Sequence, residues 1–222
     1  MNKQRLIIAG ASGHAKVAID IIEKEEKYTI QGLLDDNRSI GEEISGYRIL
    51  GTIASLADQI TLFPDYKILI AIGDNWIRFK VMQKIQAAFP DIEFAIAIHP
   101  SAQLGKNVTI GKGSVIMAGV IINSDTTIGD FTILNTKSSI DHDSRMFNFS
   151  SLAPNVTTGG NVTIGEFSAI GIGATISHGI VVGAHSVIGA GSLLVNDCSE
   201  NALMYGVPAK KVRDRIIGEK YL

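Results

Sequence analysis

The chain has 222 residues, with 20 basic and 22 acidic side chains and a formal charge of -2 at pH 7. This balance excludes bulk electrostatic attraction to nucleic acid, and the single cysteine, Cys198, excludes a disulfide framework. No apolar run reaches membrane-spanning length, and the first apolar run ends at Gly10, unlike a signal peptide. The composition therefore predicts a cytoplasmic protein whose partners include neither nucleic acid nor a membrane.

Residues 1–97 have the pattern of a small α/β domain. The apolar run Arg5–Ala9 is followed by a glycine-rich turn and then by residues with helical spacing, which is the first unit of a parallel sheet. Further apolar runs at 30–34 and 67–72 predict two more strands, and residues 75–89 predict an amphipathic helix. We expect a Rossmann-like domain that binds its ligand beyond the carboxyl ends of the strands.

A six-residue period dominates the chain over residues 98–197. An aliphatic residue or a methionine returns at every sixth position without insertion, and only Thr158 departs from this rule. The period predicts the coils of a parallel β-helix, in which three successive hexapeptides make one triangular coil. Residues 198–222 are expected to cap its open end with a loop at Pro208 and a short basic helix.

The ends of the predicted strands carry candidate ligand-binding residues. Gly10 and Gly13 would let backbone N–H groups approach a phosphate at the amino end of the first helix, where the helix dipole favours negative charge. Their G-x-x-G spacing is shorter than the dinucleotide fingerprint and also fits a plain tight turn. Asp35 and Asp36 follow the second strand, where they could accept hydrogen bonds from a ribose or a base, or form a solvated turn.

His142 is the candidate base in the predicted β-helix. It lies between Asp141 and Asp143, so a neighbouring carboxylate could fix the imidazole tautomer and leave a ring nitrogen to take a proton near neutral pH. The alternative interpretation is a surface histidine in a polar corner. Which aspartate serves the imidazole depends on the geometry of that corner.

The other histidines and the tryptophan are expected to be structural or exposed. His178 follows His142 by two full coils, so the two rings should lie roughly 10 Å apart, too far to share one zinc ion. A zinc site would need histidines from two subunits, and no metal is predicted. His99 and His185 are interpreted as surface residues, and Trp76 as part of helix packing.

Several motifs together resemble a known family. They are the Gly10–Lys16 turn, the Leu33–Asp36 segment, the Ala71–Asn75 segment with Arg78, the repeats containing Asn135 and the His142-Asp143 pair, and the Gly206–Lys210 segment. This combination is similar to the bacterial hexapeptide-repeat acetyltransferases that act on nucleotide-linked amino sugars or on sialic acid, including enzymes of the bacillosamine and perosamine type. The resemblance covers essentially the whole chain and implies that the β-helix is left-handed.

The resemblance also implies a reaction and a set of site residues. The expected reaction is acetyl transfer from acetyl-CoA to the amine of a UDP- or dTDP-linked 4-amino-4,6-dideoxy sugar, for surface-glycan biosynthesis. A homotrimer would form its active sites between adjacent β-helices, with His142 as general base and Asp143 as its orienting partner. The sugar nucleotide would contact Gly10, Ser12, Gly13, His14, Asp35, Asp36, Gly73, Asn75 and Arg78. Acetyl-CoA would contact Asn135, Ser151, Gly160, Ile172 and Ala190.

Two departures from the family pattern concern this site. Ser151 stands where relatives commonly have a second histidine near the thioester, although a serine hydroxyl could still donate a hydrogen bond. The usual Gly-Asn-Asn sequence is Gly73-Asp74-Asn75 here. The turn glycines vanish over 140–158, so we expect the active site where the repeat is least regular.

Three other functions are compatible with the sequence. Acetyl transfer to a hydroxyl, as in sialic acid O-acetylation, would use the same fold and the same base. A zinc-dependent hydratase would use histidines from adjacent subunits. A purely structural solenoid requires only the repeat, because a repeat specifies a fold and not a function.

Overall fold

The computed structural model describes residues 3–57 and 66–221, and the first part of this range forms an α/β domain. Its elements are β1 Gln4–Ala9, α1 Gly13–Glu25, β2 Tyr28–Leu34, β3 Glu43–Ile44, β4 Tyr47–Gly51, a 3-10 turn Ile53–Ser55, β5 Tyr66–Ile70, α2 Asn75–Ala88 and β6 Glu93–Phe94. The sheet order is β3-β4-β2-β1-β5-β6. Every pair is parallel except the β3–β4 hairpin, so the predicted Rossmann-like pattern is confirmed.

The burial of these elements explains why the sequence forms them. Strand β1 is buried on both faces over Leu6–Ala9, as expected for a parallel strand covered on both sides. The buried residues of α1 recur at intervals of three and four, which places them on one face of the helix: Ala15, Ala18, Ile19, Ile21 and Ile22. The β3–β4 hairpin was not predicted, because its short strands carry little apolar periodicity.

Short strands that start every six residues build the β-helix. They are Ala97–Ile98, Gln103–Leu104, Thr109–Ile110, Val115–Ile116, Ile121–Ile122, Thr127–Ile128, Ile133–Leu134, Ser139–Ile140, Arg145–Met146, Ser151–Leu152, Thr157–Thr158, Thr163–Ile164, Ala169–Ile170, Thr175–Ile176, Val181–Val182, Val187–Ile188 and Leu193–Leu194, labelled β7 to β23. Strands one coil apart pair in parallel, for example Ile116 with Leu134 and Leu134 with Leu152. The predicted coil of three hexapeptides and the left-handed β-helix are confirmed.

The coils form three sheets that meet at three edges. The first sheet contains β7, β10, β13, β16, β19 and β22, the second contains β8, β11, β14, β17, β20 and β23, and the third contains β9, β12, β15, β18 and β21. We call edge A the corners that lead from the first sheet to the second, such as 135–138. Edge B leads from the second sheet to the third, as at 141–144, and edge C returns to the first sheet, as at 147–150.

The segment after the coils forms a hairpin and not a helix. Strand β24, Ala202–Gly206, adds to β22 in parallel, and β25, Ala209–Asp214, pairs with β24 in the antiparallel direction. The prediction of a short basic helix after Pro208 was therefore wrong. The backbone groups of the segment instead pair with the last strand of the first sheet, which covers an edge that would otherwise be unpaired. Within residues 3–57 and 66–221, no helix has both the length and the apolarity needed to cross a membrane.

A ladder of stacked rings joins the α/β domain to edge C. Phe131, Phe149, Phe167 and His185 occupy the same corner position in successive coils, and consecutive rings stack with centroids 4.9, 5.3 and 4.7 Å apart. Trp76 of α2 packs against this ladder, with its centroid 5.3 Å from Phe167, so its predicted role in packing is confirmed. His185 is not an ordinary surface residue as predicted, since it ends the ladder and burial lowers its pKa.

Candidate functional site

A groove with a volume of about 250 Å³ lies where the first sheet and edge A meet the α/β domain. The α/β domain contributes His14 and Gly73 to its lining. The β-helix contributes four of the predicted cofactor-binding residues, Asn135, Ser151, Ile172 and Ala190. Two tyrosines that sequence reasoning missed, Tyr205 and Tyr221, complete it from the segment after the coils. No repeat or motif marks them, because they reach the groove only through the path of that segment.

The glycine-rich turn is held by an aspartate of the next strand. Gly10 adopts a φ of +113°, and a Cβ there would lie 2.7 Å from the carbonyl oxygen of Ala71, so only glycine fits. The backbone N–H of Ala11 donates to Asp35 Oδ2 at 2.8 Å. Asp35 therefore accepts from a backbone N–H of the turn that was expected to face a phosphate. Its carboxylate has a structural role in holding that turn.

The remaining residues of this region stay accessible to a ligand. Ser12 is the exposed N-cap of α1, and its side chain makes no capping hydrogen bond. Gly13, the first residue of α1, is also exposed. Asp36 accepts a hydrogen bond from the N–H of Ile53 through Oδ1 at 2.9 Å and remains exposed. These side chains and the helix end lie at the carboxyl edge of the sheet, where α/β domains bind their ligands.

His14 carries an unusual imidazole in the first turn of α1. Its Nε2 is buried and has no hydrogen-bond partner among the described residues. Burial, with a smaller effect from the positive charge of Arg78, lowers the pKa of His14 to about 4. The ring is therefore neutral at physiological pH, and an unpaired ring nitrogen can donate to or accept from a ligand in the groove.

Arg78 lies in the interior of the protein. Its side chain is fully buried, and its guanidinium donates to the carbonyl oxygens of Phe131, Ile72 and Gly73, each at 2.9 Å, and to Asn75 Oδ1 at 2.6 Å. Burial lowers its pKa to about 10, so it stays charged. These bonds replace the predicted substrate contact with a structural role, in which Arg78 ties the α/β domain to edge C.

Asn75 has a structural role of the same kind. Its side-chain amide donates to the carbonyl oxygens of Ser168 and Phe167 at 3.2 and 3.4 Å, while its oxygen accepts from Arg78. It is 1% exposed. Gly73 differs from Asn75 and Arg78, because it lines the groove and its carbonyl oxygen also accepts a hydrogen bond from Arg78.

His142 and Asp143 form a pair at edge B, away from the groove. His142 Nδ1 lies 2.7 Å from Asp143 Oδ2, which selects Asp143 as the orienting carboxylate. Asp141 instead accepts from the backbone N–H of His142 at 2.8 Å and from Asn123. The hydrogen bond with Asp143 is the main cause that raises the pKa of His142, and the charge of Asp141 adds to it.

Gly160 lies beside this pair and not in the groove with the other predicted cofactor residues. A Cβ on Gly160 would lie 2.6 Å from His142 Nε2, so the missing side chain makes room for the imidazole. The ring centroids of His142 and His178 approach to 6.3 Å across this gap, closer than the separation of two coils predicted. Among the described residues, no group of three or more His, Cys, Asp or Glu side chains is placed to hold a metal ion.

Thr158, the exception in the hexapeptide period, supports the same corner from inside. It is 4% exposed, and its hydroxyl accepts from the backbone N–H of Asp141 at 3.3 Å. At this point the strand pairing between β14 and β17 includes only Ser139 and Thr157. The polar interior residue therefore compensates for a local break in the ladder directly before His142.

The first part of the chain and the repeats both match known family models. Residues 5–85 match the PglD N-terminal domain, and residues 101–136 match the bacterial transferase hexapeptide (six repeats). The chain is 32% identical over 115 residues to the UDP-N-acetylbacillosamine N-acetyltransferase of Bacillus subtilis (strain 168), a match that spans 52% of each protein. With the groove and the His142–Asp143 pair, these features define a hexapeptide-repeat acyltransferase with an α/β domain.

Solved structures match almost the whole chain. The acetyltransferase domain of PglB from Neisseria gonorrhoeae FA1090 is 30% identical, with 95% of this chain and 100% of that chain covered and a TM-score of 0.88. PerB from Caulobacter crescentus, solved in complex with CoA and GDP-perosamine, is 34% identical, with 93% and 96% covered and a TM-score of 0.86. The chain belongs to this family of hexapeptide-repeat acetyltransferases with a PglD-type N-terminal domain.

Proposed function

We propose that the protein transfers the acetyl group of acetyl-CoA to the amino group of a nucleotide-linked 4-amino-4,6-dideoxy sugar, UDP- or dTDP-linked, for surface-glycan biosynthesis. The observation that carries the proposal is the groove, in which His14 of the α/β domain faces Asn135 and Ser151 of the β-helix. A ligand bound by the α/β domain and a ligand bound by the β-helix can therefore meet there. The enzymes solved with CoA and GDP-perosamine, and the bacillosamine N-acetyltransferase, are relatives that support this substrate class.

His142 is the proposed general base. Asp143 Oδ2 accepts a hydrogen bond from Nδ1–H, which keeps that proton on Nδ1 and leaves Nε2 unprotonated beside Gly160. Nε2 takes a proton from the sugar amine as its nitrogen attacks the thioester carbonyl, and the C–S bond breaks as the tetrahedral intermediate collapses. The CoA thiolate leaves with a proton returned from the imidazolium, so the histidine is neutral again at the end of the cycle.

A homotrimer completes the site in this proposal. His142 and Gly160 belong to edge B, whereas the groove lies at the first sheet and edge A, and His142 is not among its lining residues. A base on another edge of the triangular coil reaches the groove if a second copy packs its edge B against it. We also propose a cytoplasmic location, which agrees with the single free cysteine, Cys198.

The test is an assay of purified protein with acetyl-CoA and a panel of UDP-, dTDP- and GDP-linked amino sugars. Release of free CoA thiol with one of them is the expected result, and no release with any would refute the proposal. Mass spectrometry of the product before and after mild base distinguishes an amide, which survives, from an ester, which is cleaved. The His142→Ala variant should lose turnover and keep sugar-nucleotide binding, because the α/β domain carries the binding residues.

A further inference from the structure

The outward-facing row of the first sheet contains one polar side chain. The first residue of each strand points out of the coil, because side chains alternate along a strand. In β7, β10, β13, β19 and β22 this residue is apolar: Ala97, Val115, Ile133, Ala169 and Val187. In β16 it is Ser151, which is 8% exposed and lines the groove. A lone hydroxyl in an apolar wall is placed to bind one polar atom of a ligand.

Residues 215–221, which we call the tail segment, fold back over edge C toward this hydroxyl. Arg215 donates to the carbonyl oxygen of His185 at 3.0 Å, and its guanidinium lies 5.9 Å from the centre of the Tyr221 ring. Gly218 packs against the Trp76 ring, where a Cβ would lie 2.6 Å from Nε1. The tail segment is thus held against α2 and the ring ladder, and it places Tyr221 in the lining of the groove.

The hydroxyl of Tyr221 lies between the Gly73–Asn75 loop and the β-helix. It accepts from the backbone N–H of Asn75 at 3.1 Å, donates to the carbonyl oxygen of Gly73 at 3.4 Å, and approaches Ser151 Oγ to 3.5 Å, a contact in which either oxygen can be the donor. Burial raises the pKa of Tyr221, so the phenol keeps its proton at neutral pH. Tyr221 is therefore a polar contact that links Ser151 to the α/β domain.

We propose that Tyr221 is a positioning residue of the acyl-transfer site, which orients the Ser151 hydroxyl toward the thioester carbonyl of acetyl-CoA. This inference rests on the proposed function. In this proposal the single Tyr221 proton turns from the carbonyl oxygen of Gly73, which keeps Arg78 as a donor, to Ser151 Oγ when acetyl-CoA binds, and Ser151 then has its own proton free for the thioester carbonyl oxygen. A hydroxyl that accepts one hydrogen bond donates a stronger one, so the chain from the Asn75 N–H through Tyr221 polarises Ser151. No proton leaves its oxygen in this step.

The proposed contact should distinguish acetyl-CoA from S-ethyl-CoA, which differ only in the group attached to sulfur, a carbonyl or a methylene. Acetyl-CoA has the carbonyl, whereas S-ethyl-CoA has a methylene in its place and cannot accept from Ser151. We expect the wild-type protein to bind acetyl-CoA about fivefold to tenfold more tightly than S-ethyl-CoA. We expect Tyr221→Phe and Ser151→Ala each to remove most of this preference and to leave the affinity for S-ethyl-CoA unchanged.

The experiment is titration calorimetry of the full chain with both ligands, alongside thermal unfolding of each variant. Tyr47→Phe is the matched control, since it removes a hydroxyl that bonds to Glu23 outside the groove at 2.9 Å. Gly218→Val tests the inference in a second way. The valine side chain should displace the tail segment, and Tyr221 with it, from Trp76, so this variant should lose the same preference for acetyl-CoA.

Two outcomes contradict the inference. If Tyr221→Phe keeps the preference for acetyl-CoA, or weakens the binding of both ligands equally, then Tyr221 supports the fold and does not position the acyl group. A wild-type protein that binds neither ligand would refute the proposed function itself, and the inference with it. Because binding is measured without an amino sugar, a wrong choice of sugar cannot be mistaken for either result.

Discussion

At the scale of single residues, the site depends on how a few side chains are held at edge B. Asp143 accepts from His142 while Asp141 accepts from the backbone, so two neighbouring carboxylates have different tasks. Gly160 leaves space for the imidazole, and Thr158 supports the corner from the interior. The hydrogen bond with Asp143 raises the pKa of His142 and fixes its tautomer, so that Nε2 of the neutral ring is the nitrogen available to the proposed base.

The raised pKa of His142 predicts the pH dependence of turnover. The base must be neutral, so kcat/KM should fall as the pH drops through the raised pKa. Asp143→Asn removes the main cause of that shift, and we expect the acid limb of the pH profile to move to lower pH while the maximal rate falls about tenfold. Asp125→Asn is the control, because Asp125 occupies the equivalent corner one coil earlier. An acid limb unchanged in Asp143→Asn would contradict the pairing.

Adjacent glycines at edge B should respond differently to substitution. In Gly160→Ala the new methyl group displaces the exposed His142 ring, and we expect kcat to fall about 100-fold with an unchanged melting temperature. In Gly159→Ala the Cβ would lie 2.8 Å from the backbone nitrogen of His178, so stability should fall instead. Steady-state kinetics and thermal unfolding of both variants separate the two effects, and an active Gly160→Ala would show that the ring position does not limit turnover.

At the scale of elements, α2 joins the two domains. It carries Trp76 onto the ring ladder and buries Arg78 among carbonyl oxygens of the α/β domain and edge C. Each stacked ring pair contributes about 1 kcal/mol beyond the area it buries. The ladder and the arginine together hold the α/β domain against edge C.

Replacement of Arg78 should destabilise this junction strongly. Arg78→Met removes the guanidinium donor from the carbonyl oxygens of Phe131 and Ile72, and we expect the free energy of unfolding to fall by about 3 kcal/mol. Urea denaturation measures the loss. The exposed Lys84 on the same helix is the control, and Lys84→Met should change stability by less than about 0.5 kcal/mol. A loss below about 1 kcal/mol in Arg78→Met would argue against the structural role.

At the scale of the whole molecule, the proposed base and the groove lie apart within a single chain. The groove combines His14, Asn135, Ser151 and Tyr221, while His142 lies on another edge of the coil. The tail segment and the hairpin of β24 and β25 close the same end of the molecule. A second copy that packs its edge B against the groove would bring the two sets together without moving either domain.

Mixing two inactive variants tests whether the site is shared between chains. His142→Asn removes the base, and Ala190→Trp fills the groove at an exposed position. If each site takes its base from one chain and its groove from another, co-expression should restore about one quarter of wild-type activity, since random mixing makes about one site in four intact. Light scattering should give the mass of three chains. A mixture as inactive as each variant alone would mean that one chain contains the whole site.

The local pattern of the sequence was sufficient for the β-helix and for the parallel strands of the α/β domain, but not for the β3–β4 and β24–β25 hairpins. A period of six residues specifies which side chains enter the coil, and an apolar strand followed by glycines and a helix specifies the α/β domain, because both depend on neighbours in the chain. The His142–Asp143 pair could be found for the same reason, since its two residues are adjacent. Thr158 broke the period at the position that supports this pair.

The tertiary structure alone decided which residues share the groove. Asn75 and Tyr221 are 146 residues apart in the chain, and no periodicity relates them, yet they are joined by a hydrogen bond. Arg78 looked like a ligand contact, but the packing of α2 on edge C surrounds it with carbonyl oxygens. Burial, rather than residue type, left the ring nitrogen of His14 unpaired. Such contacts arise from the packing of distant segments, which the local sequence does not encode.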